Sequence, residues 1–315
     1  MKRPFVLTVS CALLLSLSLF CSPIAGAQPF DFSREELIKY TPEWTGERFP
    51  DGRPKVPDDI LKRMEKVSIE EAWSVLRGGG YNNQFVGGWQ QIHPGVVLVG
   101  RAVTVMYLPI RKGINEVIME EGHKNGRIGG HVSWPIDTLV KDDVYVADVF
   151  DLVDGGPIIG GNLGTSIFAK TGKGIVFDGY VRDLEGLESI EGFQGFVRGF
   201  HPSWAWGSMI MGINIPVNIG ETTAMPGDII LGKRTGVIFI PPHLAEKVVK
   251  TSEVVRLRDA FGFQRLREGK YTPGQIDGRW TGEIEKDFSR WLEEHIDDLS
   301  VPREQIQELL KERTW

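Results

Sequence analysis

Cysteine is almost missing from this sequence. The 315-residue chain has two, Cys11 and Cys21, and both lie in its first apolar stretch. From Gln28 onward there is no thiol, which excludes a disulfide framework, a zinc-thiolate site and a cysteine nucleophile. Histidine is scarce too, with six in all, and none falls in an HExxH pattern. Basic charge is the minority: 36 Lys and Arg stand against 42 Asp and Glu, a net charge of −6. Such a chain has no electrostatic footprint for nucleic acid. The Gly-rich segment near residue 160 lacks both the Gly-Lys-Ser/Thr of a P-loop and the G-x-G-x-x-G of a dinucleotide fold. Past residue 20, no apolar run approaches the ~20 residues needed to span a bilayer.

The N-terminus holds the one long apolar run. Lys2 and Arg3 precede an uncharged stretch over 5–20, and Ala25-Gly26-Ala27 forms a small-x-small site before Gln28. This pattern reads as a secretory signal peptide over 1–27. Phe20 stands where a lipoprotein signal needs a small residue before Cys21. The expectation is a periplasmic or secreted protein without membrane contact after cleavage. Loss of Lys2 and Arg3 moves the net charge from −6 to −8.

Three further zones follow. Residues 28–67 are rich in proline and charge and read as an extended arm with at most a short helix at 34–40, wrapping the domain body or a neighbouring subunit. The core, 68–242, opens with a helix at 69–76, Ser68 being its N-cap and Glu70 and Glu71 its first turn. Apolar runs bounded by Gly or Pro predict strands at 96–106, 144–148, 175–178, 193–198, 215–219, 228–231 and 237–240. Helices are predicted at 114–121, 163–171 and 184–187. The mixture gives a layered α/β (α+β) domain. The tail, 243–315, carries helical periodicity at 243–261 and 283–299 and a last helix from Pro302.

The chemistry-bearing stretch runs from Asp154 to Leu184. Gly160, Gly161 and Gly164 let the chain turn tightly into a helix. They leave the amides of Asn162, Leu163 and Gly164 open at its N-terminus, where carboxylates bind. Arg182 and Asp183 sit just past the end of the 175–178 strand, the usual ligand edge of an α/β sheet. Asp183 is also placed to cap the next helix, with Arg182 as its ion-pair partner. A carboxylate with waters suits Mg²⁺ or Mn²⁺, and a guanidinium beside it can hold an acid bidentately. Among the loop histidines His123, His131 and His201, the last is the preferred substrate contact because it follows Arg198 near a strand end. Trp89, Trp134, Trp204 and Trp206 are candidates to line a pocket, and Glu221 to supply an acid.

Four segments in order then carry a resemblance: Gly100-Arg-Ala-Val-Thr-Val105, Gly160-Gly161-Asn162-Leu163, Asp178-Gly-Tyr-Val-Arg-Asp183, and Pro226-Gly-Asp-Ile-Ile with Gly236-Val-Ile-Phe-Ile-Pro241. Together they resemble the RraA-like family, which includes class II 4-hydroxy-4-methyl-2-oxoglutarate aldolases and regulators of ribonuclease E activity. The resemblance implies a swivelling β/β/α domain, a homotrimer or homohexamer, and a site between subunits. It implies that Asp183 anchors Mg²⁺ or Mn²⁺, that Arg182 steadies a pyruvate enolate, and that amides at Asn162 and Leu163 hold the pyruvate carboxylate, with Gly161 and Gly164 as further substrate-binding candidates in the same loop. The implied reaction is carbon–carbon cleavage of a 2-oxo acid, by retro-aldol chemistry or oxaloacetate decarboxylation. The alternatives are a non-catalytic regulator on the same fold, or a lyase or hydratase for a sugar acid. The sequence departs from the family at Asn162, where an acid is usual, and at Lys233. No acid from a neighbouring subunit is evident in 204–212, which includes Ser208.

Overall fold

A computed structural model describes residues 31–299 and 301–312. The signal-peptide segment, 1–27, lies outside the described residues. The arm holds helices α1 (Arg34–Tyr40) and α2 (Asp58–Met64), and α3 (Ile69–Gly78) opens the core. Strands β1 (Phe85–Val86), β2 (Gln90–Gln91) and β3 (Leu98–Pro109) lead to helices α4 (Lys112–Lys124) and α5 (Trp134–Thr138). Then come β4 (Asp143–Asp148), α6 (Gly161–Thr171), β5 (Ile175–Asp178), β6 (Tyr180–Val181) and α7 (Leu184–Glu188). The strand-rich half comprises β7 (Gly195–Val197), β8 (Gly199–Phe200), β9 (Ser208–Ile213), β10 (Val217–Ile219), β11 (Thr222–Ala224), β12 (Ile229–Lys233) and β13 (Gly236–Ile240). The tail is α8 (Ala245–Arg267), α9 (Pro273–Asp277), α10 (Gly282–His295) and α11 (Arg303–Glu312).

A nine-stranded sheet in the order β1-β13-β12-β3-β4-β5-β7-β2, with β9 also on β3, organises these elements. The strands β3, β4, β5 and β7 run parallel, and antiparallel pairs flank them. Parallel strands covered on both faces need apolar residues on both sides, and 144–147 of β4 and 175–177 of β5 supply them. Val144, Val146 and Val176 enter one cluster with Phe196 and Phe239. Tyr145, Ala147, Ile175 and Phe177 enter the opposite one. There the hydroxyls of Tyr107 and Tyr145 satisfy each other at 2.7 Å.

Helices α2, α3 and α8 cover the antiparallel end through Ile60, Leu61, Leu76 and Val248 against Ile229, Leu231 and Ile238. Helix α3 begins at a capping box: Ser68 Oγ accepts the Glu71 amide, and the Glu71 carboxylate accepts the Ser68 amide. The end of α8 and α9–α11 enclose a separate aromatic cluster around Phe261, Trp280, Phe288 and Trp291.

The arm lies on its own domain. Arg53, 2% exposed, forks onto Asp143 at the start of β4 with contacts of 3.1 and 3.3 Å, and its Nε reaches Asp51 at 2.7 Å. Arg101 of β3 donates to the carbonyl of Val56 and to Asp58.

The arm departs from expectation in holding a second helix, α2. The pattern Ile60, Leu61, Met64 is short, but all three side chains are buried. Strand β9 was not expected either: Ser-Met-Ile-Met-Gly-Ile has no alternation, because nearly all of it is buried. Helix α10 stops at His295 rather than 299.

Candidate active site

Strand β5 ends at Asp178, in register beside Asp148 of β4. Asp178 accepts from Arg198 Nε and from the Gly220 amide at 2.6 Å. Arg198 lies in turn over the Trp89 ring, 3.8 Å from its centroid. This group ties β5, β7 and the β10–β11 turn together. It also accounts for Trp89, and it gives each Asp178 oxygen a protein partner. Burial, helped by the nearby charge of Asp178, raises the Asp148 carboxyl above its usual range.

Past Asp178 the chain turns at Gly179, where a Cβ would lie 2.7 Å from Val149. Strand β6 pairs with β8, and the Arg182 amide donates to Ile159 O at 3.0 Å, zipping the two loops together. Asp183 then adopts φ +56°, a left-handed conformation that Asp tolerates better than most residues. It precedes α7 but does not cap it with its side chain. Its Oδ2 instead accepts the Gly161 amide at 2.9 Å, so this carboxylate caps α6 from 22 residues away. The expected Arg182–Asp183 ion pair does not form. Among the described residues, the exposed Arg182 guanidinium has no carboxylate partner.

The Gly-rich loop is used differently at each position. Gly160 is the N-cap of α6, and a Cβ there would stand 3.2 Å from Arg182 Cγ and Asp183 Cβ. Gly161 spends its amide on Asp183. The Gly164 amide is not open as expected, because it donates to Gly160 O at 2.9 Å within the first turn. What Gly164 supplies is close approach: a Cβ would lie 2.4 Å from Leu187 of α7. Only Asn162 and Leu163 keep amides without partners, among the described residues, at this helix end.

Arg182, Gly160 and Leu163 border a pocket of about 240 Å³ with Ile158, Trp204 and His131. Its wall is mostly apolar, with one free cation and one imidazole. Burial pulls the His131 pKa down to about 4, so the ring is neutral at pH 7. Its Nε2 is buried without a hydrogen-bond partner, and its ring packs 6.0 Å from that of Tyr107. Sequence reasoning preferred His201, which the structure does not bring to this wall. The His201 ring instead accepts the Ser203 amide, and its backbone amide donates to Val181. The one signal for His131 was its place directly after Gly129-Gly130.

The remaining candidates divide. Trp204 is exposed at the pocket mouth, while Trp134 is buried against His123. Glu221 is an exposed turn residue, Lys233 bonds the carbonyl of Glu65, and Ser208 is buried with no partner for its Oγ.

A divalent ion has one carboxylate to meet here. Asp183 Oδ2 is occupied and Oδ1 is open, and no group of three or more His, Cys, Asp or Glu that could hold a metal occurs among the described residues. One carboxylate oxygen fits Mg²⁺ or Mn²⁺, which keep most of their waters, and does not fit a closed structural site.

Comparison with known proteins agrees with this architecture. An uncharacterized protein of Methanocaldococcus jannaschii is 27% identical over 140 residues, 42% of this chain and 67% of its own length. A Halalkalibacterium halodurans protein, provisionally named as a 4-hydroxy-4-methyl-2-oxoglutarate aldolase, is 32% identical over 80 residues. That match spans 25% of this chain and 38% of the relative. The Streptomyces coelicolor RraAS2 structure, described as an unusual member of the RNase ES inhibitor RraA protein family, superposes with a TM-score of 0.55 at 21% identity. It covers 68% of this chain and 98% of that one, which speaks to the fold alone. The RraA-like family model, described as Aldolase/RraA, matches residues 68–239, more than half of the sequence. The chain belongs to the RraA-like family.

Proposed function

We propose that this protein is a divalent-metal-dependent carbon–carbon lyase acting on a small 2-oxo acid, with Arg182 and Asp183 at its centre. The observation that carries this reading is the unpaired Arg182 guanidinium beside two open helix amides and a small apolar pocket. The amides of Asn162 and Leu163, at the positive end of α6, would take the substrate carboxylate. Arg182 would lie against the oxygen that gains charge as the carbon–carbon bond breaks, a role in which a preorganised cation acts only as charge develops. Asp183 Oδ1, with waters, would hold Mg²⁺ or Mn²⁺, which supplies Lewis-acid polarisation of the 2-oxo group when bound. His131 stands in the pocket wall as a neutral imidazole, and its buried Nε2 would have to be uncovered to meet a substrate hydroxyl as an acceptor.

The relative named as an aldolase supports the reaction class. A homotrimer or homohexamer is part of the proposal. Ile110, Ile114, Val117 and Ile128 are exposed apolar residues of a kind that association covers. Location outside the cytoplasm belongs to it too, on the strength of the 1–27 segment.

A non-catalytic binding protein is the second reading, favoured by the single carboxylate available to a metal. The deciding experiment is pyruvate release from 4-hydroxy-4-methyl-2-oxoglutarate and from oxaloacetate, with Mg²⁺ or Mn²⁺ and with a chelator. Turnover abolished by the chelator is expected. Failure of both substrates, in a protein that binds no metal, would favour the binding protein.

A further inference from the structure

A second cavity, of about 340 Å³, shares no residue with the pocket at Arg182. The arm forms one side with Tyr40, Glu43 and Trp44, and the core forms the other with Tyr81, Gln84, Thr223, Asp228 and His243. Asp228 stands just before β12 and is 2% exposed. Its Oδ2 accepts the Met225 amide at 2.9 Å, and its Oδ1 has no partner among the described residues. Among the described residues, no lysine or arginine lines the cavity. Burial raises the Asp228 pKa to about 7. Burial, then the charges of Glu43 and Asp228, pushes up that of the Tyr81 hydroxyl, so both carboxylates act at one place.

The wall therefore offers acceptors and aromatic faces with no compensating cation. One N–H of the Gln84 carboxamide donates to Phe239 O at 3.0 Å, which leaves its side-chain carbonyl for a ligand. A buried carboxylate without a partner is costly, and a bound cation removes that cost. Aromatic rings favour the same charge. We propose that this cavity is a second small-molecule site, which binds an organic ammonium ion between Asp228 and Glu43 and against the Tyr81 and Trp44 rings. An acid or a neutral sugar would leave Asp228 unpaired, so the site discriminates by charge.

Binding of n-propylammonium to the full chain tests this, followed by calorimetry at pH 8 and pH 5.5, with propionate as the isosteric anion. Because only ionised Asp228 receives the cation, affinity is expected to fall about thirtyfold between the two pH values. The other titratable groups facing the cavity are Glu43, Tyr81 and His243. Asp228→Asn isolates the contribution of Asp228 from that of these neighbours. Asn keeps an acceptor for the Met225 amide, and this variant is expected to lose most of the affinity and to show less than about threefold pH dependence. Glu43→Gln, on the exposed arm, gives a second reading should Asp228→Asn fail to fold, with weakening of threefold or more. Propionate binding as tightly as propylammonium, no binding at 50 mM ligand, or unchanged affinity in the foldable variants would overturn the proposal.

Discussion

Asp183 Oδ2 accepts the backbone N–H of Gly161 at 2.9 Å, joining the loop after β6 to the first residue of α6. One carboxylate thus caps a helix and offers its other oxygen outward. Asp183→Asn keeps an acceptor for Gly161 and tolerates φ +56°. Its folding stability should stay within about 0.5 kcal/mol of wild type, while metal-dependent turnover falls at least a hundredfold. Asp183→Ala loses the cap and adds left-handed strain, and should cost about 2 kcal/mol. Thermal denaturation with and without Mn²⁺, beside the pyruvate assay, separates the two roles. Full activity in Asp183→Asn would remove Asp183 from the chemistry.

Gly186 controls the same carboxylate from α7. A Cβ there would stand 2.4 Å from Asp183 Oδ2 and 2.8 Å from Oδ1. Gly186→Ala should therefore displace the carboxylate and lower activity about tenfold or more, with the fold intact by circular dichroism. Wild-type kinetics in this variant would show that the carboxylate position is not critical.

Arg182→Lys tests the guanidinium. A lysine keeps the charge but not the planar fork that matches a carboxylate or enolate bidentately. The kcat is expected to fall about a hundredfold, with a smaller change in KM, because the contact strengthens as charge develops. The side chain is exposed and unpaired, so the melting temperature should not move.

The sheet and its helices were legible because parallel strands covered on both faces leave unbroken apolar runs. The 175–178 strand was read residue for residue. Strand β9 was hidden by its glycine and methionines, and α2 by the prolines around it. Arg182 and Asp183 were legible as a pair because they follow a strand end, but their relation was not. A backbone turn through φ +56° sends Asp183 back to Gly161 and away from Arg182, and such a turn leaves no mark in residue type. Gly164 read as an open amide and proved to be a packing contact with Leu187. His131 reaches the pocket through tertiary placement of its loop, which spacing does not encode.

Arg53 gives a test of the arm. Its guanidinium is buried against Asp143, itself fully buried at the base of β4. Removing one partner of a buried pair strands the other charge, at a cost of about 3–5 kcal/mol. Arg53→Met should lower the melting temperature by roughly 5–10 °C. The double variant Arg53→Met with Asp143→Leu should recover part of that loss, since no buried charge is then left unpaired and Asp51, the other partner of Arg53, is 38% exposed. Equal melting temperatures for wild type and Arg53→Met would show that this ion pair contributes nothing to the body's stability.

His131 makes the pH prediction. Burial depresses its pKa from an ordinary 6.5 to about 4. A base depressed in this way stabilises the fold above its unfolded pKa, and the stabilisation is lost as pH falls from 6.5 through about 4. The unfolded chain takes the proton first over that interval, so His131 lowers the denaturation midpoint between pH 6.5 and 4, while Asp228, whose pKa burial raises to about 7, acts with the opposite sign over the same interval. His131→Gln, which cannot charge, removes the His131 part alone, so its midpoint should gain on that of wild type as pH falls from 6.5 to 4. In the pyruvate assay the same substitution removes the neutral imidazole from the wall it shares with Arg182. The kcat should fall by one to two orders of magnitude if Nε2 meets the substrate hydroxyl. A midpoint that gains on wild type in this way, with unchanged kcat, would make His131 a packing residue and leave Arg182 and Asp183 to carry the reaction.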